Sequence, residues 1–414
     1  MGLLVVKKIF LWCLVYFWGL GVAIPYISYL IFGIFNTSIY TYVPEIYLHK
    51  TALILTVSVF ISILLILVVP TGRGLIEPKY ELGNWYIIGL LLFFIYSRTR
   101  LGNGSVAAAF EATTAGEVNG TFVAYMGLFC DVTYVMFLYF LSVKKKVKYF
   151  TILLLYVIYT VLCASRSGLL TIVFVLITVL FASSKFKNQK KKMVLIIFLA
   201  IMLSPFVFMF STSSRNMSAG NDRSKVITTI VGRCSQLEIG GIALYKASNG
   251  TWDENVFLEK YGLQEQVKLV INSIVPGDIF DGDVDPNQYY RTVFLETPEQ
   301  VAHDNYTSMN LTLPIYLSLK YGVILGIILT AMIVFIWYIF CCLIKNQAMK
   351  ILYIIAIRDI MTYFDWVMIW RIVFTMTLTA VGFNILDIIM KNKKLVMWTN
   401  RRIEKLCPKK LYKL

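Results

Sequence analysis

Long uninterrupted apolar runs limit the folds that are open to this 414-residue chain. Residues 53–69, for example, are apolar at almost every position. A helix needs roughly 20 apolar residues to cross the hydrocarbon core of a bilayer, and several runs meet that requirement. Backbone N–H and C=O groups find no water in lipid, so only helices or a closed barrel can span it. Barrel strands alternate polar and apolar side chains, and these runs do not, so they predict helices.

The runs together predict an all-α, polytopic membrane protein with about 10 transmembrane helices and one large, partly helical periplasmic loop. The predicted spans are 9–34, 51–69, 85–96, 120–141, 150–163, 169–182, 193–210, 321–344 and two within 351–390. The predicted division is a membrane domain over 1–210, the long loop over 211–320, further transmembrane helices over 321–390, and a basic cytoplasmic tail over 391–414.

The positive charge is concentrated in short connections between apolar runs. The formal net charge is +16, and lysines cluster at 144–148, at 185–192 and in the tail over 391–414. Cytoplasmic loops carry such an excess of basic residues, so both termini are predicted to be cytoplasmic. Contact with membrane lipids follows from this pattern, and no nucleic-acid partner is expected. The stretch 211–320 then lies on the opposite face, and it is more acidic than basic, with 13 Asp and Glu against 9 Lys and Arg.

The stretch 211–320 is longer than a plain connection, which predicts a folded or partly folded cap. Apolar periodicity over Val226–Tyr245 predicts a helix lying on the membrane surface. Asp281–Asp285 resembles the opening of a calcium loop, but Pro286 replaces the glycine and Thr292 the closing glutamate. A solvated acidic turn is the preferred interpretation of these aspartates. We expect no metal and no cofactor, since no Cys-x-x-Cys pair is present either.

One short run in this stretch, Glu299–Tyr306, contains the residues best suited to chemistry. His303 is one of only two histidines, and imidazole can accept a proton near neutral pH. Asp304 and Asn305 can orient a ring or a sugar, and Tyr306 offers a flat surface at the membrane boundary. A structural histidine that bonds the loop backbone is the alternative interpretation.

The run His303–Tyr306, followed by Tyr321-Gly322-Val323-Ile324-Leu325-Gly326, resembles a signature of bacterial O-antigen polymerases and ligases. That signature is an H-N-x-Y stretch followed by a "YG-LLG" helix, and Asp304 stands where the family often has Asn. Ala164–Leu170 is similar to the S-R-x-G-L turn of the same proteins. The number of spans and the large outer loop before the late spans also match.

The resemblance implies a polymerase of the bacterial inner membrane with its active face in the periplasm. Such an enzyme transfers a growing glycan from undecaprenyl pyrophosphate to the non-reducing end of a new lipid-linked repeat unit. Its partners are these lipid-linked oligosaccharides, with a chain-length regulator and a flippase as further candidates. The resemblance assigns catalysis to His303, as proton acceptor, and to Arg166.

Arginine binds pyrophosphate well because its planar guanidinium can grip two oxygens at once. Arg166 is the first candidate, since a charge in a tight turn at the membrane edge is costly without a purpose. The other predicted substrate- and pyrophosphate-binding residues are Arg98, Arg100, Arg215, Arg233, Arg291, Asn305 and Tyr306.

Two alternatives remain open at this stage. An O-antigen ligase, which joins finished glycan to lipid A-core, shares both short motifs. A flippase or transporter of lipid-linked sugars belongs to a different class and should show internal repeats and short outer loops. The long stretch 211–320 and the lack of a visible repeat favour the polymerase over the transporter.

Overall fold

A computed structural model of the protein describes residues 3–32, 43–69, 235–250, 311–344 and 347–362, with a few single positions elsewhere. Regular structure in these ranges is helical, without strands, which confirms the all-α prediction for this part of the chain. In chain order the elements are α1 (Leu3–Trp18), a π-helical turn (Gly19–Ala23), α2 (Ile24–Phe32), α3 (Glu45–Val68), α4 (Leu237–Ser248), α5 (Leu313–Tyr321), α6 (Val323–Leu343) and α7 (Gln347–Thr362).

Three of these helical segments are long and apolar enough to cross a membrane. They are Val6–Ile31, Glu45–Val68 and Val323–Leu343, with 26, 24 and 21 residues. They correspond to the predicted first, second and eighth spans and indicate a membrane protein. The other predicted spans lie wholly or partly outside the described residues, so the number of about 10 stays a prediction.

The first span pairs with α3 in an antiparallel helical hairpin. Lys7 Nζ donates to the backbone oxygens of Leu67 and Val69, at 2.7 and 3.1 Å. At the other end of the hairpin, Tyr26 Oη and His49 Nδ1 lie 2.7 Å apart. We call these two ends of the bundle the lysine end and the histidine end. The Lys7 ammonium thus satisfies carbonyls that the last turn of α3 leaves without an intrahelical donor.

Helix α6 runs from the histidine end to the lysine end. The rings of Phe10 and Tyr338 are 5.2 Å apart and nearly perpendicular, so the last turns of α6 lie beside the first turns of α1. Gly322 precedes Tyr338 by 16 residues, which is about 24 Å along a helix axis. Helix α7 then packs on α1 and α6, where Trp337 Nε1 donates to the Tyr353 carbonyl at 2.8 Å.

The two helices from the polar stretch, α4 and α5, lie among the long helices. Residues 235–244 of the α4 segment are buried at all but one position, and residues 311–318 of the α5 segment are buried without exception. A helix on a membrane surface would expose one face along its length. The predicted surface helix over Val226–Tyr245 is therefore wrong where the structure describes it. Gly240 and Gly241 explain the difference, because they let α4 approach α3 closely.

A substitution at Gly326 tests the contact between α5 and α6. A Cβ atom at this position would lie 2.5 Å from the Ser318 backbone nitrogen and 2.6 Å from its Cα. We expect Gly326→Ala to separate the two helices and to lower the free energy of unfolding by about 1–3 kcal/mol. Thermal unfolding of the purified protein in detergent measures this loss. Gly19→Ala is the matched control, since nothing lies within 4 Å of a Cβ there. Equal stability of the two variants would contradict the described packing.

Candidate functional site

Helix α4 slants from the middle of the first span to the histidine end. Before its first turn, the Gln236 N–H donates to the Gly21 carbonyl at 2.9 Å. At its other end, Ser248 Oγ lies 2.6 Å from Tyr47 Oη, and the Tyr47 and Tyr245 rings are 5.3 Å apart. Tyr47 belongs to the first turn of α3. The N-terminal end of α4 therefore lies inside the bundle, and its C-terminal end lies at the histidine end.

Helix α5 has the same direction as α4 and folds back along α6. Ser318 of α5 touches Gly326 of α6, and the chain reverses between them at Gly322, which has φ +82°. Glycine adopts this left-handed backbone conformation without the steric cost that a side chain would add. Since Gly322 lies at the histidine end, the first residue of α5, Leu313, lies deeper in the bundle.

The contact between α4 and α5 brings their N-terminal ends together. A Cβ atom at Gly240, the fourth residue of α4, would lie 3.1 Å from Ile315 Cγ1 and 2.6 Å from Thr51 Cγ2. Ile315 is only the third residue of α5. Each helix end carries about half a positive charge from its aligned peptide dipoles. Two such ends inside a bundle of apolar helices favour an anionic group near them.

Polar side chains are buried at these two helix ends. Ser235 Oγ accepts a hydrogen bond from the Leu237 N–H at 3.2 Å. Thr312 occupies the N-cap of α5, is 2% exposed, and its hydroxyl makes no hydrogen bond. Glu238 is also buried in the first turn of α4, two positions from Gly240 and so on the opposite side of that helix. Among the residues that the structure describes, the positive end of α5 is thus the less compensated of the two.

All nine predicted site residues lie outside the described residues. They are His303, Arg166, Arg98, Arg100, Arg215, Arg233, Arg291, Asn305 and Tyr306. The structure does describe the residues that come soon after two of these predicted site segments in the sequence. Ser235 comes two residues after Arg233, and Leu311 comes five residues after Tyr306. The two helices that these segments enter are the packed pair α4 and α5.

The sequence interpretation missed a cluster of aromatic and imidazole rings at the histidine end. The His49 ring packs edge-on against Tyr26 and Tyr29, at centroid distances of 5.7 and 6.2 Å. Tyr26 and Tyr29 are three residues apart and therefore share one face of α2. That spacing is visible in the sequence. The contact with His49 is not, because His49 belongs to the next helix and only the packing of α2 against α3 brings it to the two tyrosines.

Among the residues that the structure describes, no group of three or more His, Cys, Asp or Glu side chains could hold a metal ion. Comparison with known proteins finds no matching family, no similar curated protein and no similar solved structure.

Variants at Gly240 and Thr51 test how α4 packs against α3. We expect Gly240→Ala to destabilise the protein by about 1–3 kcal/mol, because its Cβ would overlap the Thr51 methyl group. Thr51→Ser removes that methyl but keeps the hydroxyl, which donates to the Tyr47 carbonyl at 2.7 Å. The double variant should therefore recover most of the lost stability. Thermal unfolding of all four proteins measures the coupling, and additive losses would refute the contact.

Proposed function

We propose that the protein is a membrane glycosyltransferase that polymerises O-antigen repeat units. Its donor is a growing glycan on undecaprenyl pyrophosphate, and its acceptor is the non-reducing hydroxyl of a new lipid-linked unit. The proposal rests on the resemblance of the His303–Tyr306 run with the following Tyr321–Gly326 helix start, and of the Ala164–Leu170 turn, to that family.

The paired N-terminal ends of α4 and α5 are the structural observation that best supports this proposal. Arg233 comes two residues before Ser235, and His303 comes eight residues before Leu311, where the described segments of these two helices begin. A lipid-linked donor keeps its isoprenoid in the bilayer while its pyrophosphate needs positive charge close by. Helix N-termini inside a bundle of apolar helices suit such an anion, because water there screens the charge only weakly.

In the proposed reaction the acceptor hydroxyl attacks the anomeric carbon of the donor glycan. The bond from that carbon to the pyrophosphate oxygen breaks, and undecaprenyl pyrophosphate leaves with the electron pair. His303 accepts the hydroxyl proton as general base. Arg166, Arg233 and Arg291 stabilise the negative charge that develops on the leaving group. Asn305 and Tyr306 orient the sugars, and Arg98, Arg100 and Arg215 add to the binding of the pyrophosphate-linked substrate.

The proposed location is the bacterial inner membrane, with cytoplasmic termini and a periplasmic active face. The N-terminal end of the first span lies at the lysine end, and the lysine-rich connections of the sequence favour a cytoplasmic N-terminus. The histidine end, where α4 and α5 finish, then faces the periplasm, to which flippases deliver lipid-linked repeat units.

His303→Ala tests the proposed chemistry. In a strain whose own copy is deleted, we expect the variant to lose long O-antigen ladders and leave single-repeat lipopolysaccharide, because general-base catalysis contributes roughly 10²–10⁴-fold. Gel electrophoresis of the lipopolysaccharide measures the ladder. His49→Phe is the matched control, since it removes the other histidine but keeps an aromatic ring against Tyr26 and Tyr29.

Normal ladders in His303→Ala cells with normal protein levels would refute the catalytic role. A deletion strain with no repeat units on its lipopolysaccharide at all would point instead to a ligase or a flippase.

Single cysteines at positions 8 and 49 test the proposed orientation in a background without the natural cysteines. Both side chains are exposed, and they lie at opposite ends of the helical hairpin. A maleimide that cannot cross the inner membrane should label His49→Cys in cells with a permeable outer membrane. It should label Lys8→Cys only after lysis. The reverse pattern would place the histidine end in the cytoplasm and exclude the proposed location.

A further inference from the structure

Pro25 interrupts the hydrogen bonding of the first apolar span. In an α-helix, the N–H of residue 25 would donate to the Gly21 carbonyl, but proline has no N–H and its ring crowds that carbonyl. The helix widens just before this point, where the Ile24 N–H donates to the Gly19 carbonyl five residues back. Gly21 is buried, so its carbonyl needs a hydrogen-bond partner within the protein.

Gln236 supplies the donor that Pro25 cannot. Its N–H reaches the Gly21 carbonyl at 2.9 Å, across 215 positions of the sequence. Gln236 is 7% exposed and Ser235 is 2% exposed, so the bond is shielded from solvent. It holds the backbone immediately before α4 at the middle of the first span.

We infer that Pro25 is a positioning residue for the glycosyl transfer. By freeing the Gly21 carbonyl, it anchors the N-terminal end of α4, which begins four residues after Arg233 in the sequence. The inference rests on the proposed function, in which Arg233 stabilises the leaving pyrophosphate. Pro25 acts only through this backbone bond and has no direct part in the chemistry.

Pro25→Ala tests the anchor itself. Alanine restores the N–H at residue 25, which then competes with Gln236 for the Gly21 carbonyl. We expect hydrogen exchange at the Gln236 amide to become about tenfold faster in the full-length protein in lipid nanodiscs. Mass spectrometry of the peptide that contains this residue measures the rate. Peptides from the middle of α3 should keep their protection, which shows that the variant is folded.

Pro44→Ala is the matched control for the loss of a proline ring. Pro44 occupies the N-cap of α3, where a proline leaves no carbonyl of that helix without its donor. Exchange at Gln236 should be unchanged in this control. Unchanged exchange in Pro25→Ala would overturn the inference, because the freed carbonyl would then not hold the segment.

Polymerisation kinetics test whether the anchor serves Arg233. With purified protein and lipid-linked repeat units, we expect Pro25→Ala to raise the apparent KM for the donor about tenfold, which corresponds to the loss of about one hydrogen bond. In an Arg233→Ala background the same change should have no further effect, since the group to be positioned is already missing. If the two changes multiplied in their effects on KM, Pro25 would not act through Arg233, and the positioning role would be overturned.

The failure of the proposed function is distinguishable from the failure of this inference. If Arg233→Ala and His303→Ala both polymerise normally, the proposed site is wrong and the positioning role falls with it. The exchange rate of the Gln236 amide still decides independently whether Pro25 anchors α4.

Discussion

Every backbone N–H and C=O group that enters a membrane must find its hydrogen-bond partner within the protein. A continuous helix such as α6 meets this requirement by itself, except at its ends. Among the described residues, two of the places where a helix cannot do so are satisfied by a residue that is distant in the sequence. Lys7 bonds the last carbonyls of α3, and Gln236 bonds the carbonyl that Pro25 frees at Gly21. Backbone carbonyls that lack a donor in their own helix thus form hydrogen bonds between helices. These bonds join α1 to α3 and the first span to α4.

Close backbone approach explains why the short helices can occupy the interior. Lipid tails are as apolar as leucine, so apolar side chains alone give helices in a membrane little reason to associate. Small residues let two helices come near enough for extensive dispersion contact. Gly240 and Gly241 of α4 face α3 and its preceding turn, and Gly326 of α6 faces the backbone of α5. Both short helices are consequently held by glycines at their contacts with the long ones.

Hydropathy predicted the long helices but only approximately their bounds. The predicted second span began at residue 51, whereas α3 begins at Glu45, because Pro44 starts the helix and its polar first turn extends beyond the apolar run. Hydropathy failed for α4, since the apolar periodicity over Val226–Tyr245 predicts a helix that lies on the membrane surface with one face exposed. The glycines that bury α4 act through contacts with residues almost 200 positions away, and no local pattern reveals such a contact. For the same reason the order of His303 and the arginines along the chain could not establish whether they share one site.

The direction of α4 and α5 matters more for the proposed chemistry than their burial. If their C-terminal ends pointed into the bundle, partial negative charge would oppose a pyrophosphate, and arginines alone would have to offset it. With their N-terminal ends inside, the backbone itself favours the anion. The positive end of α5 lies beside the Thr312 hydroxyl, which is buried and makes no hydrogen bond. Burying such a group costs free energy in the unoccupied protein, whereas a bound anion can accept its hydrogen bond. Under the proposed function, part of the cost of holding the leaving pyrophosphate would therefore be met during folding, before the substrate arrives.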